Sequence, residues 1–185
     1  MKTKTAIGAI LSEITHVLSH IHNKEVNELI NQILEANKII TLGAGRVGMS
    51  AKAFAMRLGH LGKKAFFLGD STVPGIKKGD LLIVASGSGE TQTIFDLVEI
   101  AKKNGATIAL ITGNPMSRMG KIADTIVNIP APSKIKSVEG LVSIQPMTTL
   151  NEQCLFIFFD AVVLRLMELT GETHETMWNR HSNLE

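Results

Sequence analysis

The sequence predicts an α/β fold in which helices flank a five-stranded parallel sheet. Short apolar, β-branched runs alternate with helical patterns through the middle of the chain, which is typical of parallel sheets. The run 80–85 is apolar at every position after Asp80, as expected of a strand that helices cover on both faces. Two helical patterns precede these strands, and one long helical pattern follows them.

Each element is predicted from its own pattern. Apolar residues between Ile7 and Ile21 recur at steps of three and four, which places them on one face of a helix. Asn23 caps a second helix, whose apolar residues run from Val26 to Leu34. The remaining elements are, in chain order, strand 38–42, helix 49–61, strand 64–68, loop 69–79, strand 80–85, helix 91–104, strand 107–111, helix 117–123, strand 125–129, loop 130–145, helix 149–169 and a polar tail 171–185.

Composition narrows the class of protein. A chain of 185 residues, 44% hydrophobic and 19% charged, fits a single soluble globular domain. The net charge of +2 is spread along the chain, so nucleic acid is not an expected partner. Cys154 is the only cysteine, which excludes an internal disulfide and fits a reducing compartment. No signal-type segment and no apolar run of about 18 residues is present, so we expect a cytoplasmic protein without a membrane partner.

Two glycine-rich turns are the candidate binding elements. The first glycine turn is Gly43–Gly48 and the second glycine turn is Ser86–Thr91; each follows a predicted strand and leads into a helix. Open N–H groups and the helix dipole favour an anion at such a helix start. Ser86, Ser88 and Thr91 add hydroxyl donors, enough to surround a phosphate monoester.

Other interpretations of the glycines remain open. Gly43, Gly45 and Gly48 match the spacing of a dinucleotide-binding turn, but such a match is weak by itself. The acidic residue expected about 20 positions later is missing before Asp70, which weakens this interpretation without excluding it. No Gly-Lys-Ser/Thr follows, so a P-loop is excluded, and both turns can also be simple tight connections.

The second glycine turn, Ser-Gly-Ser-Gly-Glu-Thr after an apolar strand, resembles the phosphosugar signature of the sugar isomerase (SIS) domain. Further motifs resemble one branch of that family, the 6-phospho-3-hexuloisomerases, over essentially the full length. These motifs are Gly43-Ala-Gly-Arg46, 51–58 with His60-Leu-Gly62, Gln145-Pro-Met147, Thr149-Leu150, Glu152-Gln153 and 181–185.

The resemblance implies a fold, an activity and an assembly. The fold is a flavodoxin-like SIS domain spanning 1–185. The activity interconverts 3-hexulose 6-phosphate and fructose 6-phosphate, the second step of formaldehyde fixation through ribulose monophosphate. No cofactor and no metal are expected, and the members of the family are usually homotetramers.

The chain departs from the family pattern at four positions. Val47 stands where serine is common, Thr148 where glycine is common, Asn151 where phenylalanine is common and Asp70 where glutamate is common. These departures leave the predicted base in place, but they open the question of which phosphosugar is the substrate.

The predicted catalytic residues combine the family resemblance with the chemistry of the reaction. Glu152 is the candidate base, because one carboxylate can take a proton from one carbon and return it to the next through an enediol(ate). Its alternative role is a helix-start glutamate that the dipole favours. His60 and His181 are candidates for the acid that opens the fructose ring or polarises the carbonyl. His60 ends the helix that follows the first glycine turn, so it would have to serve the site of a neighbouring subunit.

The predicted substrate-binding residues belong to the two turns. They are Gly45, Arg46, Ser86, Gly87, Ser88 and Thr91. Arg46 can meet a phosphate or a sugar hydroxyl, with a surface ion pair as the alternative. His16 and His20 share a helix face, but no carboxylate or cysteine completes a metal set.

Two other functions remain open. One is an isomerase of another phosphosugar, such as arabinose 5-phosphate, although that family often carries a regulatory module after the SIS domain. The other is a non-catalytic phosphosugar sensor, a class that normally has a helix-turn-helix region beside the SIS domain. The N-terminal helices here do not resemble such a region.

Overall fold

A computed structural model describes residues 1–133 and 141–184. Part of the predicted loop 130–145 therefore lies outside the described residues. The elements are α1 (Thr3–Leu18), α2 (Asn23–Glu35), β1 (Ile39–Leu42), α3 (Gly45–His60), β2 (Ala65–Phe67), β3 (Leu81–Ala85), α4 (Gln92–Lys103), β4 (Thr107–Thr112), α5 (Arg118–Ile122), β5 (Thr125–Asn128), α6 (Thr149–Thr170) and α7 (His174–Trp178).

The predicted sheet is confirmed. Its five strands are all parallel and lie in the order β2-β1-β3-β4-β5. In the centre, Ile40 pairs with Leu82, and Leu82 pairs with Ile108. The chain leaves β1 toward one edge and later leaves β3 toward the other edge. The crevice between these two departures is where ligands bind in sheets of this type.

Helices cover both faces of the sheet because strand side chains alternate. Leu81 and Ile83 of β3 belong to a core that also contains buried residues of α1, α2, α3 and α6. Leu82 and Val84 point the other way, into a core that contains α4 and Met119 of α5. This alternation makes the continuous apolar run of β3 a doubly covered strand, as predicted.

The longest helix, α6, is anchored through its apolar side chains. Its Phe159 stacks on Phe54 of α3, with ring centroids 4.3 Å apart and planes 10° from parallel. Phe156, Ile157 and Leu164 of the same helix remain 43%, 43% and 64% exposed in the single chain. No helix in 1–133 or 141–184 combines the length and apolar character needed to cross a bilayer.

One cap and two elements differ from the sequence prediction. Asn23 is the first residue of α2 rather than its cap, since His22 takes the N-cap position without a side-chain cap bond. α3 starts at Gly45 rather than near residue 49, because the first glycine turn itself supplies the first turn of the helix. The polar tail contains α7, in which Thr173 and Thr176 form a reciprocal capping box. Periodicity does not reveal α7 because a helix of five residues is too short to show it.

Substitution of Gly48 by alanine tests the tight geometry of the first glycine turn. A methyl group at Gly48 would lie 2.6 Å from the carbonyl oxygen of Gly43, and backbone cannot move away as a side chain can. We expect Gly48→Ala to lower the free energy of unfolding by about 1–3 kcal/mol, measured by urea denaturation. Gly8→Ala in α1 is the control, since no atom lies within 4 Å of its added methyl. Equal stability of the two variants would contradict this account.

Candidate active site

A cavity of about 370 Å³ lies at the carboxyl ends of β1 and β3. Its walls are the first glycine turn, the second glycine turn and the start of α6. It brings together the predicted base and all the predicted binding residues: Gly45, Arg46, Ser86, Gly87, Ser88, Thr91 and Glu152. Residues far apart in the sequence therefore meet at the point where the strand order reverses.

Backbone bonds fold the second glycine turn around an open centre. Gly89 N donates to Ser86 O over 3.1 Å, and Gly89 has a φ of 65° that glycine adopts without strain. The carbonyl oxygen of Gly87 accepts from Gly113 N at 3.1 Å and from Thr112 Oγ1 at 3.3 Å. Bonds to β4 and its following loop thus occupy a carbonyl oxygen that would otherwise repel an anion.

Donors of the same turn remain available to a ligand. Ser86 Oγ accepts from Gly89 N and Ser88 Oγ accepts from Glu90 N, each over 3.2 Å. A serine hydroxyl that accepts a bond keeps its hydrogen for donation. Thr91 makes no side-chain cap on α4, so the first N–H groups of that helix are open. Together these groups form an anion site of the kind that binds phosphate.

The acidic residue of this turn is neutralised by an arginine. Arg118 donates from its backbone N to Glu90 Oε1 and from Nε to Glu90 Oε2, both over 2.8 Å. The backbone bond from Arg118 lowers the pKa of Glu90; burial opposes this, while the side-chain bond and the charges of Arg118 and Lys121 add to it. Glu90 is therefore held ionised and paired, outside the cavity lining. The sequence analysis missed Arg118, because no local pattern links positions 28 residues apart.

The predicted base is held by two neighbours. Thr148 Oγ1 donates to Glu152 Oε1 over 2.7 Å. Glu152 Oε2 lies 3.0 Å from Nη1 of Arg46, within ion-pair distance but without the angles of a hydrogen bond. Arg46 Nη1 also donates to Thr149 Oγ1 over 3.2 Å. Glu152 is buried in the first turn of α6. Its Oε1 is fixed by Thr148, whereas its Oε2 accepts no hydrogen bond from the described residues.

Three buried polar atoms at this cavity have no hydrogen-bond partner among residues 1–133 and 141–184. They are Ser133 Oγ, Asn151 Oδ1 and Glu152 Oε2. Buried polar atoms are nearly always paired, so three unpaired atoms on residues that line one cavity favour a polar occupant. A polyhydroxylated ligand supplies both the donors and the acceptors that these atoms lack.

The two predicted catalytic histidines lie in a different cavity. His60 and His181 have ring centroids 5.2 Å apart and line a cavity of about 460 Å³ with Arg57 and Trp178. Fifteen helical steps of about 1.5 Å separate His60 from Gly45, or about 22 Å along α3. The structure therefore brings the two histidines together and leaves them far from Glu152 of the same chain.

The tail that carries His181 is tied to α3 by Arg180. Arg180 donates to the carbonyl oxygen of His60 over 2.9 Å and forms a bidentate pair with Glu172, at 2.7 and 2.9 Å. This network gives the second cavity a fixed wall. The sequence pattern and the polarity of the tail do not predict that it packs against α3.

Three of the four residues that depart from the family pattern lie at the first cavity. Val47, Thr148 and Asn151 all line the first cavity. Asp70 accepts a hydrogen bond from Lys52 Nζ over 2.7 Å and does not line the first cavity. A ribose-binding acid would have had to line that cavity.

A carboxylate of α1 pins the segment that leads to the base. Glu13 accepts bonds from Ser143 Oγ, Ile144 N and Gln145 Nε2, over 2.7, 2.8 and 2.9 Å. Burial raises the pKa of Glu13, but these three bonds outweigh it and hold the pKa below its ordinary value of 4.5. The pinned segment continues through Pro146 and Met147, whose φ is 57°, into Thr148 and the start of α6.

The model of the SIS domain family matches residues 32–157, a segment that contains every strand of the sheet and both glycine turns. The chain belongs to this family. It is 43% identical over 185 residues to the 3-hexulose-6-phosphate isomerase of Bacillus subtilis, and the match covers 100% of both chains.

Two further relatives agree with the predicted branch. The 3-hexulose-6-phosphate isomerase of Mycobacterium gastri is 38% identical, over 97% of this chain and 89% of that protein. A Methanococcus jannaschii crystal structure, from which the function of a 3-hexulose-6-phosphate isomerase was inferred, has a TM-score of 0.83 and 30% identity. That match covers 98% of this chain and 99% of the other. The resemblance drawn from the sequence motifs is confirmed.

Substitution of Glu13 by glutamine tests the pinned segment through pH. Because the folded pKa of Glu13 is depressed, its contribution is full above the unfolded pKa and is lost as pH falls through the folded pKa. We expect Glu13→Gln to lower the free energy of unfolding by about 1–2 kcal/mol at pH 7. The difference from wild type should shrink as pH falls below 4.5, measured by urea denaturation. Glu28→Gln, at an exposed position of α2, is the control; a pH-independent deficit in Glu13→Gln would contradict the account.

Proposed function

We propose that this protein is an isomerase that interconverts 3-hexulose 6-phosphate and fructose 6-phosphate through an enediol(ate). One observation carries the proposal: a single cavity joins an anion-binding turn to a buried carboxylate that is held by one hydrogen bond and one ion pair. Full-length similarity to isomerases of that name supports the choice of sugar.

The second glycine turn binds the phosphate group in this proposal. Its seryl hydroxyls and the open N–H groups at the start of α4 surround the anion, and Glu90 does not repel it because Arg118 pairs with that carboxylate. Gly45 adopts a φ of 59° without strain. Because it has no side chain, the first glycine turn can approach the sugar closely. Arg46 faces the sugar from the same turn.

Glu152 moves the proton between the two carbons. Starting from fructose 6-phosphate, Glu152 Oε2 removes the proton of C3, and the electron pair forms the C2–C3 double bond while negative charge develops on the C2 oxygen. Transfer of a proton between the two oxygens and return of the carbon proton to C2 complete the 3-ketose. The hydrogen shift lies within one molecule, so electrons balance without an added oxidant or reductant.

The neighbours of Glu152 support this role. Thr148 fixes Oε1, which leaves Oε2 as the oxygen that exchanges the proton. Arg46 lies 3.0 Å from Glu152 Oε2. Its positive charge therefore lies near the C2 oxygen of the bound sugar, on which the enolate charge develops. A fixed charge of this kind stabilises the transition state more than the ground state.

His60 and His181 complete the site of a neighbouring copy in this proposal. In 3-hexulose 6-phosphate, O6 carries the phosphate and cannot close a five-membered ring on C3, so this sugar is open-chain. Fructose 6-phosphate closes a ring through O5, which calls for an acid to protonate the ring oxygen. A histidine suits that role near neutral pH, and the separation of about 22 Å along α3 requires it to come from another subunit.

The unpaired apolar surface of α6 supports an assembly. Phe156, Ile157 and Leu164 lie on α6, the helix whose first turn carries Glu152, and stay exposed in the single chain. We propose a homotetramer in which copies share their active sites. The family resemblance supports the wider setting that we propose: a single SIS domain over 1–185, working in the cytoplasm in formaldehyde fixation through ribulose monophosphate.

Glu152→Gln tests the base. We expect kcat to fall by about 10²- to 10⁴-fold, because glutamine cannot accept the proton, while the affinity for fructose 6-phosphate stays within a few-fold. A synthase generates the hexulose from formaldehyde and ribulose 5-phosphate, and fructose 6-phosphate is read through NADPH; calorimetry gives the affinity. Glu168→Gln, at an exposed position of the same helix, is the matched control. Full activity of Glu152→Gln would remove the assignment.

Mixed assemblies test the shared site. We expect Glu152→Gln and His60→Asn each to be impaired alone, and co-expressed subunits to regain part of the activity. Recovery follows because some sites then combine an intact glutamate with an intact histidine from a neighbour. Light scattering measures the assembly in parallel. A monomer at micromolar concentration, or mixed tetramers no more active than either variant, would overturn the shared site.

A further inference from the structure

We infer that Asn151 determines which sugar the site accepts by reading a hydroxyl group on C4 or C5 of the phosphosugar. The inference rests on the proposed function, which fixes the two ends of the ligand. It assigns a substrate contact to a residue that departs from the family pattern, where phenylalanine is common.

The side chain of Asn151 is buried, and its amide oxygen is unpaired within the part of the chain that the structure describes. The residue is 2% exposed, lies in the first turn of α6 and lines the first cavity. Its Oδ1 has no hydrogen-bond partner among the described residues. Leaving such an atom unpaired destabilises the empty protein, so a ligand that pairs with it gains affinity.

Asn151 stands between the two ends of the proposed ligand. It borders the phosphate end, because a methyl group placed on Gly87 would lie 2.9 Å from Asn151 Oδ1. It borders the reacting end, because the next residue is Glu152. A sugar with its phosphate at the second glycine turn and C2 and C3 at Glu152 must therefore lead C4 and C5 past Asn151.

The chemistry of the amide suits this position. A carboxamide both donates and accepts hydrogen bonds, as a sugar hydroxyl does. The phenyl ring of a phenylalanine at this position would offer an in-plane hydroxyl neither a donor nor an acceptor. Inverting the configuration of the contacted carbon turns the hydroxyl away and leaves the buried amide unpaired. The expected discrimination between such epimers is about 10- to 100-fold.

Two epimers of fructose 6-phosphate provide the test. Tagatose 6-phosphate inverts C4 and L-sorbose 6-phosphate inverts C5, and both keep the phosphate, the C2 carbonyl and the ability to close a ring. In deuterium oxide, proton NMR follows the replacement of the C3 hydrogen by deuterium for each sugar. Calorimetry on the same samples gives the three dissociation constants.

Asn151→Leu is the main variant, because leucine has nearly the same size and no polar atom. We expect wild type to prefer fructose 6-phosphate over at least one epimer by about 10- to 100-fold in kcat/KM and in affinity. In Asn151→Leu that preference should fall to within about threefold. Asn151→Ala replaces it if leucine prevents folding, judged by circular dichroism.

Gln153→Leu is the matched control. Gln153 lies in the same turn of α6 and also has a buried, unpaired Oε1 among the described residues, but it does not line the cavity. Its substitution should leave the epimer preference as in wild type.

The two proposals fail in different ways. Wild type that exchanges the C3 hydrogen of fructose 6-phosphate, with an Asn151→Leu preference unchanged from wild type, keeps the isomerase and overturns the role of Asn151. Wild type that binds the sugars but neither exchanges the C3 hydrogen nor forms 3-hexulose 6-phosphate overturns the isomerase, and the ratio of dissociation constants still decides the role of Asn151. Equal affinity of wild type for all three sugars, or binding of none, also overturns that role.

Discussion

The reversal of strand order at β1 is the constraint on which the candidate site depends. Because β2 lies on one side of β1 and β3 on the other, the turns that leave β1 and β3 diverge and open a crevice between them. Each turn ends in a helix start, so two sets of open N–H groups face one space. The close approach of Gly43 and Gly48 keeps the first turn tight enough to form a wall rather than fill the crevice.

Charge is distributed so that a phosphate and a carboxylate can share this crevice. The second glycine turn contains Glu90, yet Arg118 binds both carboxylate oxygens and removes its repulsion of an anion. The negative charge of Glu152 is balanced by Arg46 of the first glycine turn, 3.0 Å away, and by the dipole of α6. A cavity that combines an anion-binding end with a separate proton-accepting end matches the demands of an aldose–ketose or ketose–ketose shift on a phosphosugar.

The proposed base and the proposed acids lie far apart within one chain, so the proposed mechanism requires association of several copies. The glutamate lies at one end of α3 and the pair of His60 and His181 at the other, where Arg180 fixes the tail. In the proposed mechanism, a single copy therefore presents the base in one cavity and the acid in the other. Symmetric association can join the two, since a closed oligomer repeats the same contact at every interface.

The sequence by itself determined the elements and the residue types of the site. Periodicity and capping are local properties, so the strands, the long helices and both glycine turns could be predicted from neighbouring residues. Glu152 could be selected as the base only together with the resemblance to the family. The pairs Arg118–Glu90 and His60–His181 could not be predicted, nor the hold of Glu13 on 143–145, 130 residues away. These contacts depend on strand order and helix packing, which local periodicity does not encode. Only the tertiary structure placed Asn151 against Gly87, because the face of α6 that meets the second glycine turn is set by packing on the sheet.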